Sequence, residues 1–215
     1  MKKLLLFFFL LLLSVSLFCQ PEKGKRLINI SGTAEYDLQR GHNLFTIKLQ
    51  PKAGWFLNQY FCLGAQTGLG YGHEKIYSSV SGETQQYWFN TNAYVLEAGP
   101  LVRFYYPAKR NAAFFHTAFL YQHVREVTKT DYKNLSNNIR THGGSVQLGI
   151  GYAFFITPNI GIELLPAYQW TFSKATVSGD ILPVSGTVSG KSVSKKLVVT
   201  LGLQFYLGSK SKKSN

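Results

Sequence analysis

Apolar and polar positions alternate along most of this chain, most cleanly near its C-terminal end, where Leu197 to Leu207 reads LVVTLGLQFYL. Leu197, Val199, Leu201, Leu203, Phe205 and Leu207 hold one parity, and Val198, Thr200, Gly202, Gln204 and Tyr206 the other. Successive side chains of a strand point to opposite faces, so the pattern predicts a strand with one bulky apolar face and one small or polar face. The run is about the length a tilted strand needs to cross a bilayer.

The pattern recurs seven times upstream. Its apolar members are Ile28, Ile30, Ala34 and Tyr36; Phe45, Ile47, Leu49, Trp55 and Leu57; Phe61, Leu63, Leu69 and Tyr71; Trp88, Tyr94, Leu96, Val102, Phe104 and Tyr106. Phe115, Phe119 and Tyr121 follow, then Val146 to Phe154 and Ile160 to Phe172 on alternate positions. Tight connections are expected at Leu57 to Tyr60, Pro107 to Asn111 and Thr157 to Asn159. Longer polar ones are expected at Tyr77 to Gln86, Thr128 to Thr141 and Lys174 to Ser194, with a shorter one at Gln39 to Asn43. Short turns on one side and long loops on the other, with an even strand count, predict an all-β fold: an eight-stranded antiparallel up-and-down transmembrane β-barrel.

The N-terminus changes the compartment. Lys2 and Lys3 precede an apolar run from Leu4 to Phe18, too short and too early for a spanning helix, as in a secretory signal peptide. The expected organisation is a signal peptide over residues 1–19, a barrel domain over 20–207 and a basic periplasmic tail over 208–215. Acylation of Cys19 is the alternative processing, disfavoured by the bulk of Phe18. With the signal removed, Cys62 is the one remaining cysteine, which excludes an intramolecular disulfide framework and a cysteine metal site. Removing Lys2 and Lys3 from 23 Lys+Arg leaves 21 against 10 Asp+Glu, about +11. In a secreted chain without nucleic-acid motifs, that charge points to lipid phosphates or acidic polysaccharide rather than to nucleic acid.

A resemblance becomes specific over FTIKLQPKAGWFLNQYFCLGAQTGLGYG, Phe45 to Gly72. With Pro51-Lys52, Gly54-Trp55-Phe56, Leu63-Gly64, Val102-Arg103-Phe104-Tyr105 and Ile30-Ser31-Gly32, it resembles the small outer-membrane β-barrels of Gram-negative bacteria, the eight-stranded OmpA/OmpX type with a porin-family barrel domain. The resemblance covers about residues 26 to 207. It implies the fold and an outer-membrane location with both mature termini periplasmic, and says little about activity.

Three features argue that the apolar parity faces lipid rather than the core of a soluble barrel. Glu35, Lys48, Lys52, Glu97, Arg103 and Glu163 all fall on the other parity. That parity is otherwise rich in glycine and glutamine, which suit a narrow packed lumen. Trp55, Trp88 and Trp170 fall on the apolar parity near predicted strand ends, as aromatic girdle residues do. Pro51, Pro100 and Pro166 lie within strands, and since proline cannot donate to a ladder, bulges are expected there.

Charges in a narrow lumen must pair or hydrate. Glu35, Lys48, Lys52, Glu97, Arg103 and Glu163 are therefore expected to form an ionic plug, with Arg103–Glu163 as the leading pair and His116 within reach. The expected role is structural or surface-interacting. The alternatives are a narrow porin-like channel, a lipid A-modifying outer-membrane enzyme and a soluble periplasmic lipid-binding barrel. A hydrolase would need a serine near a histidine and an acid, and no His-x-Ser motif occurs, so no enzymatic activity and no cofactor are expected. The outer rim gathers Arg40, Lys75, Arg125, Lys129, Lys133, Arg140, Lys174, Lys191, Lys195 and Lys196. Expected partners are outer-membrane lipid and lipopolysaccharide, together with the barrel-assembly machinery. No nucleic acid is expected, the sequence names no loop ligand, and the protein is expected to act as a monomer.

Overall fold

The computed structural model describes residues 23–37, 44–79, 86–108, 111–130, 136–179 and 188–208. The signal segment, Cys19, Arg40, His42, Lys133 and the tail beyond Gly208 lie outside the described residues, as does the side chain of Glu35. Eight strands close into one antiparallel barrel in which each pairs with its sequence neighbours and β1 pairs with β8. They are β1 (Arg26–Asp37), β2 (Leu44–Phe56), β3 (Phe61–Ser79), β4 (Gln86–Pro107), β5 (Asn111–Thr130), β6 (Ser136–Thr157), β7 (Ile160–Gly179) and β8 (Val188–Leu207). Closure leaves no unpaired sheet edge, which a strand-built membrane protein requires.

The three tight turns sit where the sequence places them. At the first, the Asn58 side-chain oxygen accepts the backbone N–H groups of Tyr60 and Phe61, each at 2.8 Å. At the second, Ala108 N–H donates to Asn111 C=O at 2.7 Å. The opposite end differs from expectation, because segments of loop-like composition continue as strand. Lys129 pairs with Ser136, Val127 with Asn138, Lys174 with Lys191 and Val177 with Val188. Serine, threonine and asparagine are poor at packing, but an exposed hairpin needs only its backbone ladder, so polar composition does not end these strands.

The apolar parity faces outward. Ile150 and Leu197 are each 70% exposed, and Leu49, Phe104, Phe119, Leu164 and Leu201 line the same wall. A belt of exposed Leu, Ile, Phe and Tyr around the whole barrel matches the outward apolar band of transmembrane barrels. The lumen parity is buried from Leu27 on β1 to Gln204 on β8.

The strands are staggered. Stepping round from Leu27 through its partners Gly54, Gly64, Leu101, Ala118, Gln147 and Gln169 arrives at Lys196. The other partner of Leu27 is Tyr206, so the ring closes with an offset of 206 minus 196, ten residues. Such shear tilts the strands and fixes which side chains meet across the lumen.

The expected proline bulges do not occur. Beside Pro51 the β2–β3 ladder lapses between Leu49↔Leu69 and Lys52↔Gln66 and resumes in the same register. The β4–β5 ladder lapses in the same way beside Pro100, and the β6–β7 ladder beside Pro166. On their other sides Pro51 pairs with Ile30, Pro100 with Ala65 and Pro166 with Val199. A missing N–H removes one side of a ladder without needing an extra residue, and an inserted residue would turn every following side chain to the wrong face. The β6–β7 register shift falls instead between Phe155 and Thr157, beside the third tight turn.

Candidate functional site

The most densely bonded cluster of polar side chains is inside the barrel. Arg103 on β4 reaches across the lumen to Glu163 on β7, with Nη1 donating to Oε2 at 2.6 Å and Nη2 to Oε1 at 3.0 Å. This two-point geometry matches the planar guanidinium to the planar carboxylate. Lys52 on β2 completes the cluster, with Nζ 3.4 Å from Glu163 Oε1 and 2.9 Å from Ser31 Oγ. Gln204 on β8 donates to Glu163 Oε2, and the Tyr206 hydroxyl donates to Gln204. Arg103 also donates from Nε to His116 Nδ1 at 3.2 Å and from Nη1 to the Tyr105 hydroxyl at 3.2 Å. Strands β1, β2, β4, β5, β7 and β8 thus meet on one carboxylate and its cations. Arg103 and Glu163 are both 0% exposed.

A second pair lies apart from the first. Lys48 Nζ is 3.1 Å from Glu97 Oε1, again buried. Glu97 Oε2 has no hydrogen-bond partner, whereas both oxygens of Glu163 are engaged. Thr33 and Thr200 share a hydrogen bond at 3.1 Å across the β1–β8 seam, and Gln66 donates to Gln147 at 3.4 Å. The six charges singled out in the sequence therefore resolve into a triad of Lys52, Arg103 and Glu163 and a pair of Lys48 and Glu97, with Glu35 outside the described side chains.

The sequence pattern alone does not reveal the floor beneath the triad. Leu27, Phe56, Cys62, Tyr105, Phe114, Phe155, Leu165 and Tyr206 form a buried apolar cluster at the short-turn end of the lumen. Phe56 packs on Tyr105 with ring centroids 5.2 Å apart, Tyr105 on Phe114 at 5.1 Å and Phe155 on Tyr206 at 5.2 Å. The guanidinium of Arg103 lies 4.6 Å from the centroid of the Phe114 ring. Gly151 makes room for that ring, since a Cβ there would lie 2.1 Å from Phe114 Cζ. A signal for it exists in Phe104-Tyr105-Tyr106, Phe114-Phe115 and Phe154-Phe155. Adjacent strand residues cannot share a face, so each such run must send one ring into the lumen.

The tryptophans do not make one girdle. Trp55 is exposed beside the first tight turn, while Trp88 lies at the far end of β4 with Lys75 Nζ 4.0 Å from its ring centroid. Trp170 is part-way up β7, edge-on to Tyr168 with centroids 4.5 Å apart. On the outer wall above the apolar belt, the registers bring together histidines that the sequence leaves scattered. His123 on β5 faces His142 on β6, with their Nδ1 atoms 3.0 Å apart, and the Tyr121 hydroxyl lies 3.1 Å from His142 Nδ1. His73 Nδ1 lies 3.0 Å from Asn92 Oδ1. At the far mouth of the lumen, beyond the apolar belt, burial and neighbouring Glu74 push the Glu126 carboxyl up from its ordinary pKa.

No protein-family model matches the chain, and no curated protein matches its sequence. Solved structures do match its fold. The outer membrane protein OprG from Pseudomonas aeruginosa superposes with a TM-score of 0.61 at 11% identity, covering 90% of this chain and 100% of that one. A major outer membrane protein from Thermus thermophilus superposes with a TM-score of 0.51 at 10% identity, covering 85% and 99%. The fold is that of the small outer-membrane β-barrels.

Proposed function

We propose that this protein is an outer-membrane barrel with a sealed lumen, acting at its outer surface in a structural or surface-interaction role rather than as a channel or an enzyme. The observation that carries the reading is the Arg103–Glu163–Lys52 triad, buried across the lumen and stacked on the aromatic floor. An ion path would need water along the axis. Here the charged groups spend their hydrogen-bonding capacity on one another, and packed rings fill the level below them.

The short-turn end, with Arg26 paired to Leu207, is assigned to the periplasm, and the polar hairpins to the exterior, following the turn asymmetry of such barrels. The described wall histidines hydrogen-bond with each other, with Tyr121 and with Asn92 rather than with a serine, which supports a non-catalytic role.

Planar-bilayer recording of the refolded full chain tests the seal. Wild type is expected to give no discrete current steps, and reproducible steps that scale with salt would overturn the reading. Cell fractionation with heat-modifiable gel mobility tests the location, since a chain found wholly in the soluble fraction is incompatible with it.

A further inference from the structure

The outer wall carries a charge arrangement that the other described residues do not compensate. Arg125 on β5 pairs directly with Arg140 on β6, and Lys174 on β7 with Lys191 on β8. One step below the arginines on the same strands His123 pairs with His142, and His142 with Lys174, so His123, His142, Lys174 and Lys191 form one continuous row across four strands. Arg125, His142, Arg140, Lys174 and Lys191 are exposed, and His123 is half-buried.

Like charges directly opposite each other on one face of a sheet destabilise it. Among the described residues, none of these four Arg and Lys side chains has a carboxylate partner, because the ion pairs use Glu97 and Glu163 inside the lumen. Glu126 lies between Arg125 and Val127 on its strand and turns to the other face. Among the described residues the four charges are thus left uncompensated, and the charge of the surroundings selects an anion over a metal cation.

The position says what kind of anion. On β5 and β7 the row lies just beyond the apolar belt, with His123 paired to Leu96 and one step past Tyr121, and Lys174 one step past Phe172. A groove of about 670 Å³ adjoins the β5 end of the row, lined by Leu69 on β3, Tyr94 and Leu96 on β4, and His123, Arg125 and Val127 on β5. An apolar groove leading to cations at the edge of a lipid-facing belt fits a molecule with acyl chains below and phosphate above. The arginine pair and the lysine pair are two strands apart, which at normal strand spacing is about 10 Å.

We infer that β5 to β8 form a binding site for a lipid whose headgroup carries two separated phosphates: one held by Arg125 and Arg140, with His123 and His142 one step below them on the same strands, the other by Lys174 and Lys191. The inference rests on the membrane placement proposed above and does not depend on whether the lumen conducts.

The test uses full-length protein refolded in a zwitterionic detergent, with heat-modifiable mobility as the folding check. Three lipid A preparations, bis-phosphorylated, mono-phosphorylated and dephosphorylated, and inorganic pyrophosphate are added in turn. Retention is read by native mass spectrometry, and stabilisation by the temperature at which the folded band is lost. Wild type is expected to retain one bis-phosphorylated lipid, at least tenfold more tightly than the dephosphorylated one, and to melt higher with it.

The double variants R125Q/R140Q and K174Q/K191Q should each lower retention severalfold and the quadruple variant should abolish the preference, while R26Q at the opposite rim should not change it. In the absence of phosphorylated lipid the variants should melt no lower than wild type, because they relieve repulsion; a quadruple variant that fails to fold leaves the double variants to decide. Equal retention of bis-phosphorylated and dephosphorylated lipid by a folded barrel would overturn the site while leaving the membrane placement intact. A stabilisation that pyrophosphate reproduces in full would overturn the lipid as occupant. Failure to appear in the membrane fraction would instead overturn the placement.

Discussion

Two sets of charges, one in the lumen and one on the wall, show how the same residue types are used in opposite ways. Inside, Arg103 and Lys52 converge on Glu163, and every member is buried. Outside, Arg125 faces Arg140 and Lys174 faces Lys191 without a carboxylate among the described residues. Above the packed rings a buried charge is surrounded by protein groups, so opposite signs meet there. At the edge of the belt, lipid headgroups and solvent are available, and the barrel can present one sign. The lumen charges are satisfied within the protein, and among the described residues the wall charges are left free for the lipid proposed above.

The largest effect that would break this contrast is at Glu163. Glu163→Ala leaves Arg103 and Lys52 buried without their counter-charge, and removing one partner of a buried pair costs roughly 3–5 kcal/mol. Urea titration of the barrel in lipid vesicles should show that loss. Replacing the whole triad, Lys52→Met with Arg103→Met and Glu163→Leu, should recover most of it. A triple variant as unstable as the single one would mean that the triad does more than satisfy itself.

Next comes a charge on the wall but within the belt. Leu201→Asp should cost about 2–4 kcal/mol if that face lies in hydrocarbon, and Leu201→Ser distinctly less. Equal losses in the same titration would place Leu201 outside the bilayer. Gly202 makes a poor comparison, because a Cβ there would lie 2.6 Å from Ser31 Cβ.

The Lys48–Glu97 pair should behave as a weaker version of the triad. Glu97→Ala is expected to cost less than Glu163→Ala, because one Glu97 oxygen is unpartnered already. The double replacement Lys48→Met with Glu97→Leu should fall within about 1 kcal/mol of wild type, as apolar substitutes for buried pairs commonly do. The smallest effect belongs to the wall. Arg125→Gln or Lys191→Gln in zwitterionic detergent should change stability by under about 0.5 kcal/mol. A loss comparable to that of Glu163→Ala, read from the same titration, would erase the distinction between the two sets.

Much of the fold is legible in the chain because strand alternation is a local property. Leu197 to Leu207 and its seven counterparts show which residues share a face, and Glu35 to Glu163 show which face avoids lipid. The aromatic runs are harder to read, because part of each belongs to the floor: Tyr105, Phe114 and Phe155 point inward beside neighbours that face outward. Proline signals a lost donor, not a register defect, and Pro51, Pro100 and Pro166 each leave a gap in one ladder with the register intact. The polar hairpin ends resemble loops because composition reports packing rather than backbone pairing.

Local chemistry along the chain is enough to place the strands, their two faces and the tight-turn end, because the two-residue period and the turn residues act over a few neighbouring positions. Which residues meet is set by the closed ring. The offset of ten residues accumulates over eight pairings, and no single strand encodes it. That offset sets Arg103 and Lys52 on Glu163, separates Lys48 and Glu97 from them, and brings His123, His142, Lys174 and Lys191 into one row from four strands.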